Sequence, residues 1–69
     1  MKVFTCKTTA LGAEKLWNAS MGRNMTIHYV GKTKQVDLEP VLFIYEVTMD
    51  EEEALLVVLA NEGLTLAAV

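Results

Sequence analysis

The sequence predicts a small α+β domain. Segments in which polar and apolar residues alternate, as they do in β-strands, occur before and after two segments with the 3.6-residue period of α-helices. The chain has 69 residues, of which 52% are hydrophobic and 22% are charged. That composition is typical of a folded globular protein, and the length suits one domain. We therefore interpret residues 1–69 as a single compact domain without linkers or internal repeats.

The first half begins with a strand and a helix. Residues 2–8 (KVFTCKT) alternate and contain Val, Phe and Thr, which predicts a β-strand. Thr8 or Thr9 then offers an N-cap hydroxyl for a helix that runs to about Met21, and Gly22 supplies the left-handed residue after which helices often end. One stripe of this helix carries Ala13, Leu16, Trp17 and Ser20, and we expect Trp17 to pack mainly in the core.

The middle of the chain predicts two or three strands. Residues 25–30 (MTIHYV) alternate, and residues 31–34 (GKTK) form a turn cluster, so residues 35–39 could be the return strand of a hairpin. Pro40 cannot donate to a strand ladder and therefore starts the next strand or marks a break. Residues 40–47 (PVLFIYEV) are apolar on both faces, which is typical of a strand buried in the centre of a sheet.

The last third predicts a helix and a closing strand. Thr48 and Glu51 have the spacing of a capping box, and the acids that follow lie at the positive end of a helix dipole. We expect a helix over residues 50–61 that stops near Gly63, and then a short strand in LTLAAV. A core stripe of Ala54, Leu55, Val58 and Leu59 would leave Leu56, Val57 and Ala60 pointing away.

The order of these elements is β-α-β-β-α-β. This is the ferredoxin-like arrangement, in which two helices cover one face of an antiparallel sheet. Whether residues 35–39 add an extra strand stays open at this point.

Charge is strongly segregated along the chain. Residues 1–35 carry six basic residues and one acid, whereas residues 36–69 carry eight acids and no basic residue. The two halves either interleave and neutralise each other in one fold, or they leave one acidic face for recognition. The total of −3 disfavours a general binder of nucleic acids or anionic membranes.

No motif indicates catalysis, a metal site or a cofactor. The chain has one Cys, one His and one Ser, too few for a nucleophile with a base and an orienting group. Cys6 and His28 fall on strands that this topology separates by a third, and residues 50–53 lack the oxygen pattern of a calcium loop. Glycine-rich phosphate loops are also absent. The longest apolar run, residues 54–60, is too short to span a membrane, and the chain begins without a signal-peptide pattern, so we expect a cytoplasmic protein.

These observations favour a small non-enzymatic protein-binding module, an inhibitor or an adaptor. Its acidic helix face would occupy a basic surface of a partner protein, and that surface would be one that handles nucleic acid. The chain itself would not contact nucleic acid. In size and charge the chain is similar to the very small acidic proteins that phages and mobile elements use against host defence, such as anti-CRISPR proteins, which would place it in a host cytoplasm. The predicted contact residues are Glu46, Asp50, Glu52, Glu53, Leu56, Val57 and Ala60.

Two other functions remain open. The chain could form a homo-oligomeric regulatory or small-ligand module, with a two-fold interface on helix 50–61. It could also bind RNA weakly, with Phe43 and Tyr45 stacking on bases and Lys32 and Lys34 contacting phosphates.

Overall fold

A computed structural model shows the predicted element order. It describes residues 1–61 and 64–69. The β-α-β-β-α-β prediction is confirmed. The elements are β1 (Lys2–Thr8), α1 (Ala10–Ser20), β2 (Thr26–Lys32), β3 (Phe43–Met49), α2 (Glu51–Ala60) and β4 (Ala67–Ala68).

The four strands form one antiparallel sheet in the order β2-β3-β1-β4. The strand β3 lies between β1 and β2, so that Tyr45 is opposite Cys6 on one side and Tyr29 on the other. The strand β4 pairs with β1 only at Phe4 and Thr5. The predicted LTLAAV strand is therefore shortened to two residues.

One face of the sheet is covered by the helices. Because directly paired residues share a face, Phe4, Cys6, Tyr45 and Val47 point to the same side. There they meet side chains of both helices in one core. Its buried members are Phe4, Cys6, Ala13, Leu16, Tyr45, Val47, Met49, Ala54, Val57 and Leu64.

The other face of the sheet is open, which corrects the prediction that β3 is buried on both faces. Glu46 is exposed on this face, opposite His28 on β2 and Thr5 on β1, and Ile44 and Thr48 are half-buried. The strand is central because it has a partner strand on each edge. It does not have a layer of helices on each face. A strand with two partner strands and a strand covered on both faces can have similar apolar runs, so the sequence alone does not distinguish them.

Residues 35–39 do not form a strand, so the extra strand that the sequence left open is absent. The strand β2 extends to Lys32 and pairs directly with Phe43 of β3, which leaves residues 33–42 as a loop. The loop is closed at its base by two hydrogen bonds: the Thr33 amide donates to the Leu42 carbonyl at 2.8 Å, and the Leu42 amide donates to Thr33 Oγ1 at 2.9 Å. Inside it, the Gln35 side-chain amide donates to the carbonyl of Glu39 at 2.7 Å.

The predicted ends of α1 are confirmed. Thr9 is the N-cap, and its Oγ1 accepts a hydrogen bond from the Gly12 amide at 3.3 Å. Met21 is the C-cap, and Gly22 follows with a φ of 73°, the left-handed conformation that ends helices at low steric cost. In the predicted stripe, Ala13 and Leu16 are buried, whereas Trp17 lies at the edge of the core and is 49% exposed.

The predicted capping box at the start of α2 is wrong. Thr48 belongs to β3, where it pairs with Val3 and Thr26, so its backbone is committed to the sheet. Asp50 is the N-cap instead, without a side-chain capping bond. Three acids, Glu51 to Glu53, occupy the first turn as expected from the helix dipole. The helix ends at Ala60 with Asn61 as its C-cap, while Glu62 and Gly63 lie outside the described residues.

The rotation of α2 about its axis also differs from the prediction. Ala54 and Val57 face the core, whereas Leu55, Val58 and Leu59, three of the four predicted core positions, are exposed. Val57, predicted to point away, is fully buried. The helix is apolar on nearly all sides, so its sequence holds no periodic signal that fixes the rotation.

Candidate protein-binding surface

The most unusual surface of the molecule is the outer side of α2. Three leucines on this short helix, Leu55, Leu56 and Leu59, are 61%, 52% and 73% exposed. With 100° between successive residues, the exposed apolar positions of α2 span about 200° of its circumference. We call them the α2 apolar arc; it consists of Leu55, Leu56, Val58, Leu59 and Ala60.

Acidic residues border the α2 apolar arc at the N-terminal end of the helix. Three of them have a cationic partner within the chain. Glu51 pairs with Lys2, Glu53 pairs with Arg23 at 3.2 Å, and Asp50 lies 3.8 Å from the N-terminal ammonium of Met1. Only the exposed Glu52 of this group has no ion pair within the described residues.

These ion pairs reduce the negative charge that the acidic end of α2 presents to a partner. The ammonium of Lys2 donates a hydrogen bond to Glu51 and lowers the pKa of that carboxyl, so Glu51 stays ionised and paired. Arg23 and Glu53 are both about one-third exposed, and their contact joins the segment that follows α1 to the first turn of α2. The acidic surface is therefore narrower than the sequence indicated, and Glu52 is its main uncompensated charge.

The structure brings together five of the seven predicted contact residues. Asp50, Glu52, Glu53, Leu56 and Ala60 lie on α2 or at its N-cap. Val57 is a core residue, and Glu46 lies on the opposite face of the sheet, so these two positions were predicted wrongly as parts of this surface. The prediction missed Leu55, Val58 and Leu59 because it assigned them to the core.

The single cysteine and the single histidine do not meet. Cys6 is fully buried on the helix-covered face, where desolvation raises the pKa of its thiol and disfavours the nucleophilic thiolate. His28 is exposed on the opposite face and two strands away. Within the described residues, no group of three or more His, Cys, Asp or Glu side chains could hold a metal ion.

The aromatic residues considered for RNA stacking lie beneath the helices. Tyr45 is 7% exposed, and its ring contacts Trp17 at a centroid distance of 6.4 Å and Tyr29 at 5.5 Å. Phe43 is half-buried on the same face. The ring of Tyr45 therefore has no free face for a base, whereas Lys32 and Lys34 remain exposed at the end of β2 and in the loop that follows.

Comparisons with known proteins add no further identification. No protein-family model, no curated protein and no solved structure matches the chain. Among the described helices, none is both long enough and apolar enough to cross a membrane.

Proposed function

We propose that this chain is a non-enzymatic protein-binding module that docks the α2 apolar arc onto a partner protein. The observation that carries the proposal is the small contribution of α2 to the core. Only Ala54 and Val57 of its ten residues are buried, so the large aliphatic side chains of the helix face outward. Apolar patches that are rimmed by polar groups mark contact sites on small soluble domains.

The exposed leucines supply part of the free energy that specific binding needs. Complete burial of a leucine side chain contributes about 1.5–3 kcal/mol. Leu55, Leu56 and Leu59 each retain more than half of their exposure, so together they offer several kcal/mol to a partner before the entropic cost of association. A helix presented in this way fits an apolar groove.

The charge beside the arc specifies the partner further. Glu52 is exposed without an internal cation, and the neighbouring Asp50 has only a long contact with the N-terminus. A basic residue on the rim of the partner's groove would complement them and speed the encounter. The finer form of the proposal is an inhibitor or adaptor that covers a basic, nucleic-acid-handling surface, and it rests on the similarity in size and charge to the small anti-defence proteins of phages, such as anti-CRISPR proteins.

The test compares matched substitutions at exposed leucines. The partner is captured with the wild-type chain, purified and titrated with the variants by calorimetry. We expect Leu56→Asp and Leu59→Asp each to weaken binding at least about tenfold, because each places a charge in a desolvated contact. Leu38→Asp is the control, since Leu38 is fully exposed in the loop away from α2. Unchanged affinity for both α2 variants would contradict the proposal.

A second candidate, self-association, is favoured by one feature of the same surface. The α2 apolar arc contains no charged residue, so two copies could pack it against itself without burying a charge. An antiparallel two-fold arrangement would also keep the two acidic helix ends apart. Sedimentation equilibrium separates the candidates: a dimer that Leu56→Glu converts to a monomer supports self-association, and a monomeric wild type excludes it.

A further inference from the structure

The two edges of the sheet differ in length. The strand β4 forms one edge with only two residues, whereas β2 forms the other with seven residues, Thr26–Lys32. The backbone of β2 pairs with β3 on one side, and on its outer side it makes no hydrogen bond to the residues that the structure describes. Such an edge presents a row of N–H and C=O groups with which another strand can pair.

A β-bulge limits the part of the β2 edge that is regular. The pairing with β3 shifts register between Tyr29 and Gly31, so Val30 is the extra residue. Bulges and lysines on an edge strand oppose pairing between identical strands. The segment Thr26–Tyr29 precedes the bulge and keeps a regular register with β3. An added strand would therefore pair along this segment.

Two aromatic side chains lie beside the β2 edge on the helix-covered face. Tyr29 and Trp17 are each 49% exposed, and their rings contact the buried ring of Tyr45 at centroid distances of 5.5 Å and 6.4 Å. These contacts hold both rings in place while leaving about half of each side chain uncovered. Tryptophan and tyrosine are the side chains that most often dominate binding energy. A strand added at this edge would place alternate side chains on their side of the sheet.

The charge around the β2 edge is basic. Residues 15–36 contain four basic residues and no acid. Arg23 pairs with Glu53, but Lys32 and Lys34 are exposed and form no ion pair within the described part of the chain. Opposite charges on neighbouring strands attract, and like charges repel. A second copy would bring one basic segment against another, so an acidic segment complements this edge better.

Main-chain pairing favours a polypeptide over a nucleic acid at this edge. The outer side of a strand offers donors and acceptors in turn, and the backbone of another strand matches both. The phosphate groups of RNA only accept hydrogen bonds, so RNA along the edge would give the carbonyl groups of β2 no partner.

We propose that the β2 edge binds an extended acidic segment of a partner protein as an additional strand. The backbone of the segment pairs with Thr26–Tyr29, its apolar side chains pack on Trp17 and Tyr29, and acidic side chains at one end meet Lys32 and Lys34. The β2 edge lies across the sheet from β4, the strand to which α2 leads. This proposal and the one on the α2 apolar arc can therefore fail separately.

The experiment titrates the ¹⁵N-labelled chain at low ionic strength with a synthetic peptide in which two glutamates precede alternating valines and threonines. A matched peptide carries two lysines in place of the glutamates. We expect the glutamate peptide to slow hydrogen exchange of amides in β2 and to bind at least about tenfold more tightly than the lysine peptide.

Three variants assign the binding to this edge. Lys32→Glu should remove the preference for the glutamate peptide. Lys7→Glu makes the same change on the open face of β1 and should leave the preference intact. Tyr29→Thr keeps a residue that favours strands but removes the ring, so it should weaken both peptides at least about tenfold. Amide spectra of the three variants verify that each is folded.

Four results would overturn the proposal. The first is unchanged exchange of the β2 amides in the presence of the glutamate peptide, and the second is equal affinity of the wild type for the two peptides. The third is protection of β2 that rises with chain concentration in the absence of peptide, which would show that a second copy occupies the edge. The fourth is a shift of the β2 signals by single-stranded oligouridine but not by the peptide, which would indicate RNA.

Discussion

The Thr8 side chain fills the position that a side chain at residue 12 would otherwise take. Its Oγ1 would be 1.7 Å from a Cβ at Gly12, and its own Cβ would be 3.0 Å away. The glycine is thus required by close packing between the end of β1 and the first turn of α1. The sequence showed a glycine near a helix boundary, but it could not show that a side chain four residues earlier occupies the vacant space.

This packing predicts the effect of Gly12→Ala. Alanine is favoured over glycine in helices by about 1 kcal/mol, yet the clash with Thr8 should outweigh this gain and lower the free energy of unfolding by about 1–3 kcal/mol. The double variant Thr8→Ala/Gly12→Ala removes the clashing oxygen and should recover most of the loss. Urea unfolding of the three proteins measures both effects. A single variant more stable than the wild type would contradict the packing.

Burial of Cys6 predicts a pH dependence of stability. The folded state raises the pKa of the thiol above its unfolded value of 9.0 because the thiolate would be desolvated. The stabilising contribution is therefore complete below the unfolded pKa and is lost as pH rises through it towards the folded pKa. Between about pH 7 and pH 10, the wild type should lose more free energy of unfolding than Cys6→Ala. Equal losses in urea titrations of the two proteins would contradict the burial.

At the scale of elements, strand and helix positions were predictable but orientation was not always so. The alternation in residues 2–8 and the cap and stop residues of α1 identified those elements to within about a residue, because local chemistry determines them. The rotation of α2 depends on which side chains fit the sheet. Ala54 and Val57 are smaller than the leucines beside them and allow the helix to approach closely. That selection is tertiary, and a helix that is apolar all round does not reveal it.

The same limit explains the two contact residues that were placed wrongly. Glu46 and the acids of α2 are near each other in sequence, but the alternation of β3 puts Glu46 on the open face of the sheet. Val57 was assigned to the surface together with Leu56 and Ala60 because several stripes of this apolar helix fit the core equally well by sequence. The remaining predicted residues are adjacent in the structure because a single helix carries them.

The rotation of α2 predicts a contrast between two substitutions on that helix. Val57→Ala leaves a cavity in the core and should lower the free energy of unfolding by about 1–3 kcal/mol. Leu59→Ala removes more atoms but only from an exposed position, so its effect should stay within about 0.5 kcal/mol. Thermal or urea unfolding measures both. A larger loss for Leu59→Ala would show that α2 is rotated as the sequence first suggested.

At the scale of the whole molecule, the fold partly cancels the charge segregation of the chain. Lys2 and Arg23 from the basic half pair with Glu51 and Glu53 from the acidic half. These ion pairs compensate most of the negative charge at the N-terminal end of α2, and only a small negative region remains around Glu52. The surface of α2 is distinguished less by its acids than by the apolar side chains that the fold leaves uncovered.

Site-specific photo-crosslinking tests most directly whether the α2 apolar arc is the contact surface. A benzophenone side chain is placed at position 56 or 59, or at position 7 on the open face of the sheet as the control, and the chain is irradiated in its native cells. We expect positions 56 and 59 to crosslink to the same protein and position 7 not to do so. Crosslinks to a protein from position 7 alone, or from none of the three, would contradict the account.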